Sequence, residues 1–301
     1  MSAMTSTPAL IRLNRIRHAL ACPTCKGDLS FDTTQMRCLS CSTVYAIKDG
    51  RIYFIQPSET SDDLDNLKEN IRHKIGRLYY TLVWIISPCF FPPYSMQVAR
   101  AFDTSKELVI DLGSGRLRLD DAIYCVDFND YPEVDFVCDI RSLPFKPGTI
   151  DGFVSTGVLE HVAGAEDVVS SMVSATKPGG RGLHLVPFMF PYHASPHDYT
   201  RWTVSGLQRL FADFGKVRVE TNSGPLSFFL LGLVEFLSVV ASFGNSRIKA
   251  ALYPLFCAIT FPLKFLDIFF IGRRSLEGMT PLFVVHTGPS RHDDKNQSKP
   301  D

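Results

Sequence analysis

Three short apolar segments, each with an aspartate at or next to its end, constrain the fold more than any other feature of this chain. Glu107-Leu108-Val109-Ile110-Asp111-Leu112 runs into the turn Gly113-Ser114-Gly115; Ala122-Ile123-Tyr124-Cys125-Val126-Asp127 follows; a third run closes at Val137-Cys138-Asp139. Such near-continuous apolar runs read as strands buried on both faces, the habit of a parallel sheet. Glycines at a strand end let the backbone approach a ligand closely, and an acidic residue ending the second strand is placed to accept hydrogen bonds from ribose hydroxyls. A lone Gly-x-Gly carries little weight, but three successive strand ends marked by Asp carry more. Residues 108–222 continue as alternating strand-like and helix-like segments, so the expected class is α/β, a Rossmann-like doubly wound sheet.

Ahead of this region stand two cysteine pairs, Cys22-Pro-Thr-Cys25 and Cys38-Leu-Ser-Cys41. Four thiolates close a tetrahedral Zn²⁺ site and leave no position for water, so the expected zinc is structural; the alternative is four unrelated free thiols. Val44 to Ile55 reads as two strands around the Asp49-Gly50 turn. The stretch 22–56 resembles the small zinc-ribbon family that includes the activator subunit of tRNA methyltransferases. Residues 1–21 contain scattered arginines (Arg12, Arg15, Arg17) but no continuous apolar core, so no secretory signal is read and a cytoplasmic location is expected.

On the residues of the first paragraph the chain resembles the class I S-adenosylmethionine-dependent methyltransferases, over about 107–222 and again at 280–288. The resemblance implies that Asp111, Gly113, Ser114 and Gly115 hold the methionine part of S-adenosylmethionine. It puts Asp127 on the ribose and Asp139 and Ile140 at the adenine. It further implies that Val154 to Val162, with Thr156 and His161, close over the cofactor. Lys177-Pro178-Gly179-Gly180 would turn into the fifth strand, Gly182 to Phe188. Two departures stand out. Arg116 and Leu117 replace the usual third glycine, and residues 116–121 leave room for little more than one helical turn where the family has a full helix.

Acceptor chemistry is expected on the stretch after that fifth strand, Pro187 to Trp202, because open α/β sheets place their sites at the carboxyl ends of strands. His193 or His197 could take a proton, Asp198 could orient an imidazole, and Tyr199 and Arg201 could contact substrate, Arg201 through an anionic group. A similar Tyr-His…Pro-His-Asp-Tyr run occurs in a subset of these methyltransferases, many of them linked to cell-envelope glycan pathways. The plainer reading is that Asp198, Tyr199 and Arg201 only fix the loop before a helix capped by Thr203, with Val204, Leu207, Leu210, Phe211 and Phe214 on its buried side. His18, His73 and His184 have no partner in sequence and read as ordinary surface or core residues.

The chain carries 31 basic and 31 acidic residues in 301, so it has no global pull toward nucleic acid. That even balance hides an apolar insertion at 224–279, where Pro225 to Phe243 holds one charge, Glu235. The first run has about the length of a bilayer span, yet Glu235 would be costly there and the last strand must return to the sheet. Peripheral membrane contact, a lid buried on protein and a homodimer face are the remaining readings, and the Phe-rich stretch 79–93 would join the same surface. The expected organisation is therefore an N-terminal extension (1–21), a ribbon (22–56), a linker with helices (57–107), a methyltransferase domain (108–288) and a disordered tail (289–301). Within the linker, apolar residues from Leu64 to Leu82 recur at helical spacing. The expected function is methyl transfer to a small-molecule or lipid-linked glycan acceptor. Two others compete: an rRNA or tRNA methyltransferase, and a catalytically degenerate membrane-associated binding protein.

Overall fold

The computed structural model describes residues 8–57, 77–194 and 196–289. The proposed tail and the helical spacing over 64–76 fall outside these, apart from Pro289; the end of that pattern is helix α2 (Arg77–Ile86).

Strands β1 (Leu29–Phe31), β2 (Gln35–Cys38), β3 (Val44–Lys48) and β4 (Arg51–Tyr53) form an antiparallel ribbon. Its last hairpin turns on Asp49 and Gly50, both at positive φ (50° and 76°), as a two-residue turn requires. The strands read from the Asp-terminated runs follow as β5 (Val109–Leu112), β6 (Tyr124–Asp127) and β7 (Phe136–Val137), and every residue of the three is buried. β8 (Ile150–Thr156), β9 (Thr176–Pro187), β10 (Val217–Thr221) and β11 (Leu282–Thr287) complete the sheet.

The order β7-β6-β5-β8-β9-β11-β10 is parallel except for β11, which lies antiparallel to both neighbours. The chain leaves β5 toward β6 and β7, then returns to place β8 on the other side of β5. The carboxyl ends of β5 and β8 thus meet at the switch point, where such sheets bind ligands. The ribbon is not a separate appendage. β4 pairs in parallel with β7 (Ile52 opposite Phe136, Tyr53 opposite Val137), giving one eleven-stranded sheet.

Alternation along the strands sends side chains to two cores. Ile110, Leu112, Phe136 and Phe153 pack with Ile16, Leu20, Met172, Leu207 and Phe211 on one face. Val109, Ile123, Val154, Leu183 and Val284 pack with Tyr94, Val98 and Phe102 on the other. The helices on these faces are α1 (Pro8–Ile16), α3 (Tyr94–Ala101), α4 (Ala165–Ala175) and α5 (Val204–Leu210).

Two expectations change here. Residues 8–21 are not an extension: Leu13, Ile16, Ala19 and Leu20 are buried in the first core. Between β5 and β6 there is no helix at all. Arg118 binds Asp135 (3.1 Å), Glu133 and the Ile123 carbonyl, and Arg12 binds Asp135 (2.8 Å) and the carbonyls of Asp121 and Ile123. Two guanidinium groups thereby pin a short crossover, and α3 covers the sheet face beneath it.

The apolar insertion forms α6 (Pro225–Ala241), α7 (Ser246–Thr260) and a tighter helical segment, Phe261–Phe269. The first run is thus only 17 residues of helix, and Ser246–Phe269, 24 residues, is the stretch long and apolar enough to cross a membrane by length and composition. Glu235 pairs with Lys249 across the hairpin. The Phe-rich stretch does join it, since Trp84, Phe90 and Phe265 meet at centroid distances of 5.7–6.1 Å and the Phe90 N–H donates to Ser227 Oγ.

The segment 261–269 is inside out. Lys264 is fully buried and donates from Nζ to the carbonyls of Trp84 and Ser87; Asp267 is fully buried and accepts from the N–H groups of Leu226 and Ser227. Leu263, Leu266, Ile268 and Phe269 are 51%, 49%, 63% and 67% exposed. Phe229, Phe236, Val240, Phe243, Leu255 and Ile259 extend this uncovered apolar surface along α6 and α7.

Candidate functional site

The loop after β5 is shaped by two glycines at positive φ, Gly113 (62°) and Gly115 (57°). A Cβ on Gly113 would stand 2.6 Å from Val158 Cγ2, whereas nothing lies within 4 Å of the position it would take on Gly115. The first glycine is therefore required by packing, and the second opens onto space a ligand could fill. The Ser114 hydroxyl is buried, with only the Cys125 thiol as a weak partner. Asp127 at the end of β6 accepts from Gly115 N–H (2.9 Å), Asn129 N–H (2.8 Å) and Phe128 N–H, which fixes its carboxylate.

Asp111 is buried, and desolvation, with Asp127 nearby, raises its pKa well above the ordinary carboxyl value. A cation arriving at this loop would oppose both causes. Asp139 ends the third strand region, accepts from Arg141 N–H (2.9 Å) and forms an ion pair with the Arg141 guanidinium (2.6 Å), while Ile140 is buried beside it. Thr156 is exposed at the end of β8. The cofactor residues expected from sequence thus lie along the carboxyl ends of adjacent strands. Sequence reasoning missed Tyr94 on α3. Its buried hydroxyl donates to Leu183 O (2.7 Å) and accepts from Ser155 N–H (3.0 Å), bracing β8 against β9 below the site.

A second group lies beside the loop. Gly157, at φ 61°, precedes the turn Leu159–His161, and the fully buried Glu160 carboxylate has no close hydrogen-bond donor among the described residues. His193, on the loop after β9, places Nε2 3.5 Å from Glu160 Oε1, and His161 Nε2 is 3.7 Å from the same oxygen. Glu160 raises the His193 pKa, against the opposing effect of burial. The loop is tied down by the Tyr199 N–H, which donates to Glu160 O (2.7 Å), and by the His193 N–H, which donates to Asp198 Oδ2 (2.9 Å).

Of the residues expected to contact the acceptor, Asp198 lies 3.5 Å from His193 Nδ1 rather than beside His197. Arg201 directs its fork onto Asp198 and holds that carboxyl well below the usual range. The His197 ring is exposed against Tyr199. Thr203 caps α5 through Gly206 N–H, as read. His184 is a core residue: its Nδ1 meets Ser155 Oγ at 2.9 Å, it stacks on Phe211, and burial pushes its pKa down to about 3. Glu160 was also missed, although its signal, an acidic residue next to a histidine just after a strand, was in the sequence.

An apolar recess lined by Phe188, Met189, Phe190 and Pro191 of the site loop and Phe228, Leu231 and Gly232 of α6 joins this region to the insertion. A larger cleft over β10 and β11, lined by Arg100, Arg181 and Arg218, contains none of these residues.

The four ribbon cysteines gather their sulfurs within 4.8 Å of one another, with Cys22 to Cys41 at 3.7 Å and Cys25 to Cys38 at 3.4 Å. A tetrahedral zinc with bonds of about 2.3 Å needs sulfur separations of about 3.8 Å, so the donor set suits that ion. The ribbon also holds the loop after β7. Lys26 Nζ donates to Leu143 O (2.7 Å), Ser142 Oγ to Pro23 O (2.7 Å) and Lys146 N–H to Ala19 O (2.7 Å).

Residues 100–183 match the family described as a methyltransferase domain, and residues 18–50 match that of Trm112p-like proteins. The chain therefore carries a stretch similar to Trm112p-like proteins ahead of one similar to methyltransferase domains. Comparison with curated proteins gives no match. Similar solved structures include phosphoethanolamine N-methyltransferase 2 of Haemonchus contortus with phosphomonomethylethanolamine and S-adenosylhomocysteine (15% identity, 70% of this chain, 57% of that one, TM-score 0.43). Another is the complex of the Haloferax volcanii Trm112 methyltransferase activator with a methyltransferase (17%, 77% and 100%, 0.41). A third is the [4+2]-cyclase SpnF (15%, 65% and 80%, 0.43).

Proposed function

We propose that the protein is an S-adenosylmethionine-dependent methyltransferase working at a membrane surface on a small-molecule or lipid-linked glycan acceptor. The observation that carries the first half is the set Asp111, Gly113, Gly115 and Asp127 at the switch point, where burial and Asp127 outweigh Arg118 in raising the Asp111 pKa and the second glycine faces open space. When bound, S-adenosylmethionine supplies an electrophilic methyl group and carries positive charge. Asp111 would compensate that charge, Asp127 would accept from the ribose hydroxyls, and Asp139 with Ile140 would border the adenine. The pinned crossover leaves the methionine end less enclosed than a full helix would. His193 or His197, the two imidazoles on the loop after β9, would take a proton from an acceptor hydroxyl.

The membrane half rests on the inside-out segment. A helix facing water exposes Lys and Asp and buries Leu, Ile and Phe; here the reverse holds, which suits the headgroup–acyl boundary. The hydrogen bonds of Lys264 and Asp267 to the protein favour lying on the surface over crossing it. Arg247 and Arg273 are exposed on the same insertion, where they can meet anionic headgroups. The apolar recess would then take the lipid part of an acceptor. A peripheral site on the cytoplasmic face follows. A dimer face would use the same surface, and the RNA reading draws support only from the Trm112p-like ribbon.

Calorimetry with S-adenosylmethionine and S-adenosylhomocysteine, on wild type and Asp127→Ala, tests the first half. Binding lost in the variant supports it, and no binding to either protein leaves the binding-protein reading. Flotation with phosphatidylglycerol-containing vesicles tests the second. Wild type should float and Leu266→Asp/Phe269→Asp should not; wild type remaining at the bottom ends the membrane reading.

A further inference from the structure

Glu160 is fully buried, and among the described residues its carboxylate meets no donor closer than His193 Nε2 at 3.5 Å. A buried carboxylate left this way is strongly destabilising unless a positive charge or a donor compensates it. Two imidazoles face it, with Nε2 of His193 at 3.5 Å and Nε2 of His161 at 3.7 Å from Oε1, and the three donor atoms lie within 4.8 Å of one another.

The far side of each ring is already engaged. His161 Nδ1 lies 2.5 Å from the carbonyl oxygen of His197, which can only accept, so Nδ1 carries the hydrogen. His193 Nδ1 lies 3.1 Å from the Pro191 carbonyl, nearer than Arg201 Nη2 at 3.3 Å, with Asp198 behind it. In that tautomer both neutral rings turn an Nε2 lone pair toward Glu160. This is the arrangement of metal-binding histidines, whose other nitrogen donates to a carbonyl or carboxylate. Bonds of about 2.0–2.2 Å from one ion to an imidazole nitrogen and a carboxylate oxygen bring those atoms to about 3.0–3.5 Å, within a few tenths of an ångström of the observed spacing.

We propose that Glu160, His161 and His193 bind a divalent transition-metal ion, a site separate from the cysteine ribbon. Two imidazoles with one carboxylate select zinc, manganese or iron over magnesium or calcium. Three protein donors leave positions free for a ligand oxygen, as in catalytic rather than structural sites. Val158, two residues before Glu160, packs against Gly113, so a hydroxyl held there would lie next to the glycine loop. Only that last use rests on the methyl-transfer reading; the ion site does not, and the test reads the metal itself.

The full-length protein, with its ribbon replete in zinc, is titrated with Mn²⁺ and with Zn²⁺, and binding is followed by calorimetry and by the Mn²⁺ paramagnetic resonance signal. One equivalent beyond the ribbon is expected. Glu160→Gln and His193→Ala should each weaken it at least about tenfold, with unchanged circular dichroism. His193 is partly exposed on a loop, so its truncation tests the site even if the Glu160 variant misfolds. No further equivalent of either metal, as for a Glu160 carboxylate satisfied by a protonated His193, overturns the proposal. So does uptake of the same affinity in His193→Ala.

Discussion

Gly113→Ala is the substitution whose effect the structure fixes most closely. Two separate terms act at this position. The backbone sits at φ 62°, and a residue with a Cβ loses about 1–2 kcal/mol in the left-handed region. The added Cβ would also stand 2.6 Å and 2.8 Å from the two γ-methyls of Val158, a side chain that is buried and cannot swing away. Overpacking of this kind costs about 1–3 kcal/mol. The sum is about 2–5 kcal/mol, which in a chain of this size lowers Tm by roughly 3–8 °C. A thermal melt reads the total, and a double-mutant cycle with Val158→Ala separates the terms. Val158→Ala should relieve the steric part, so the coupling should be about 1–3 kcal/mol in the direction of rescue, while the backbone part persists. Strict additivity of the two changes would refute the reasoning, because it would mean that the loop moves away from Val158 rather than being held against it.

Removing zinc with a chelator, or Cys38→Ser, should loosen the ribbon and the 140–146 loop it holds, weakening S-adenosylhomocysteine binding about tenfold or more; unchanged affinity in zinc-free protein would contradict this. The Asp111 carboxyl keeps its proton in the folded state above the unfolded value of about 3.9, so its contribution to stability is present below that pH and is lost as pH rises toward the folded pKa. The Tm of Asp111→Asn relative to wild type should therefore climb between pH 4 and pH 8, and a flat difference would count against a raised pKa. Lys264→Met leaves the Trp84 and Ser87 carbonyls without their donor and should cost about 2–4 kcal/mol. Leu263→Ser, on the exposed side, should change stability by less than about 0.5 kcal/mol; chemical denaturation showing the opposite ranking would overturn the inside-out assignment.

The sheet order explains why the glycine loop and the Asp ends were legible in the sequence. They depend on local rules: a buried strand must be apolar, a positive-φ turn favours glycine, and a chain returning on the other side of β5 brings those ends together. The cysteine knuckles were legible for a similar reason, since their spacing sets the reach of four sulfurs. Both are properties of short stretches of chain.

What only the tertiary structure decided involves residues far apart in sequence, where pairing energy depends on geometry that spacing does not encode. β4 joining β7 makes the ribbon part of the parallel sheet, through backbone bonds that depend little on side chains. Arg12 reaching Asp135 across 123 positions turns an expected extension into a clamp on the crossover. His193 meets Glu160 rather than remaining a free loop histidine because the β8 and β9 ends adjoin. The clearest case is Lys264 and Asp267. Hydropathy reads them as interruptions of an apolar run. Burial shows them as the fastening that turns leucine, isoleucine and phenylalanine outward, because a buried charge is stable only where backbone groups are waiting to receive it.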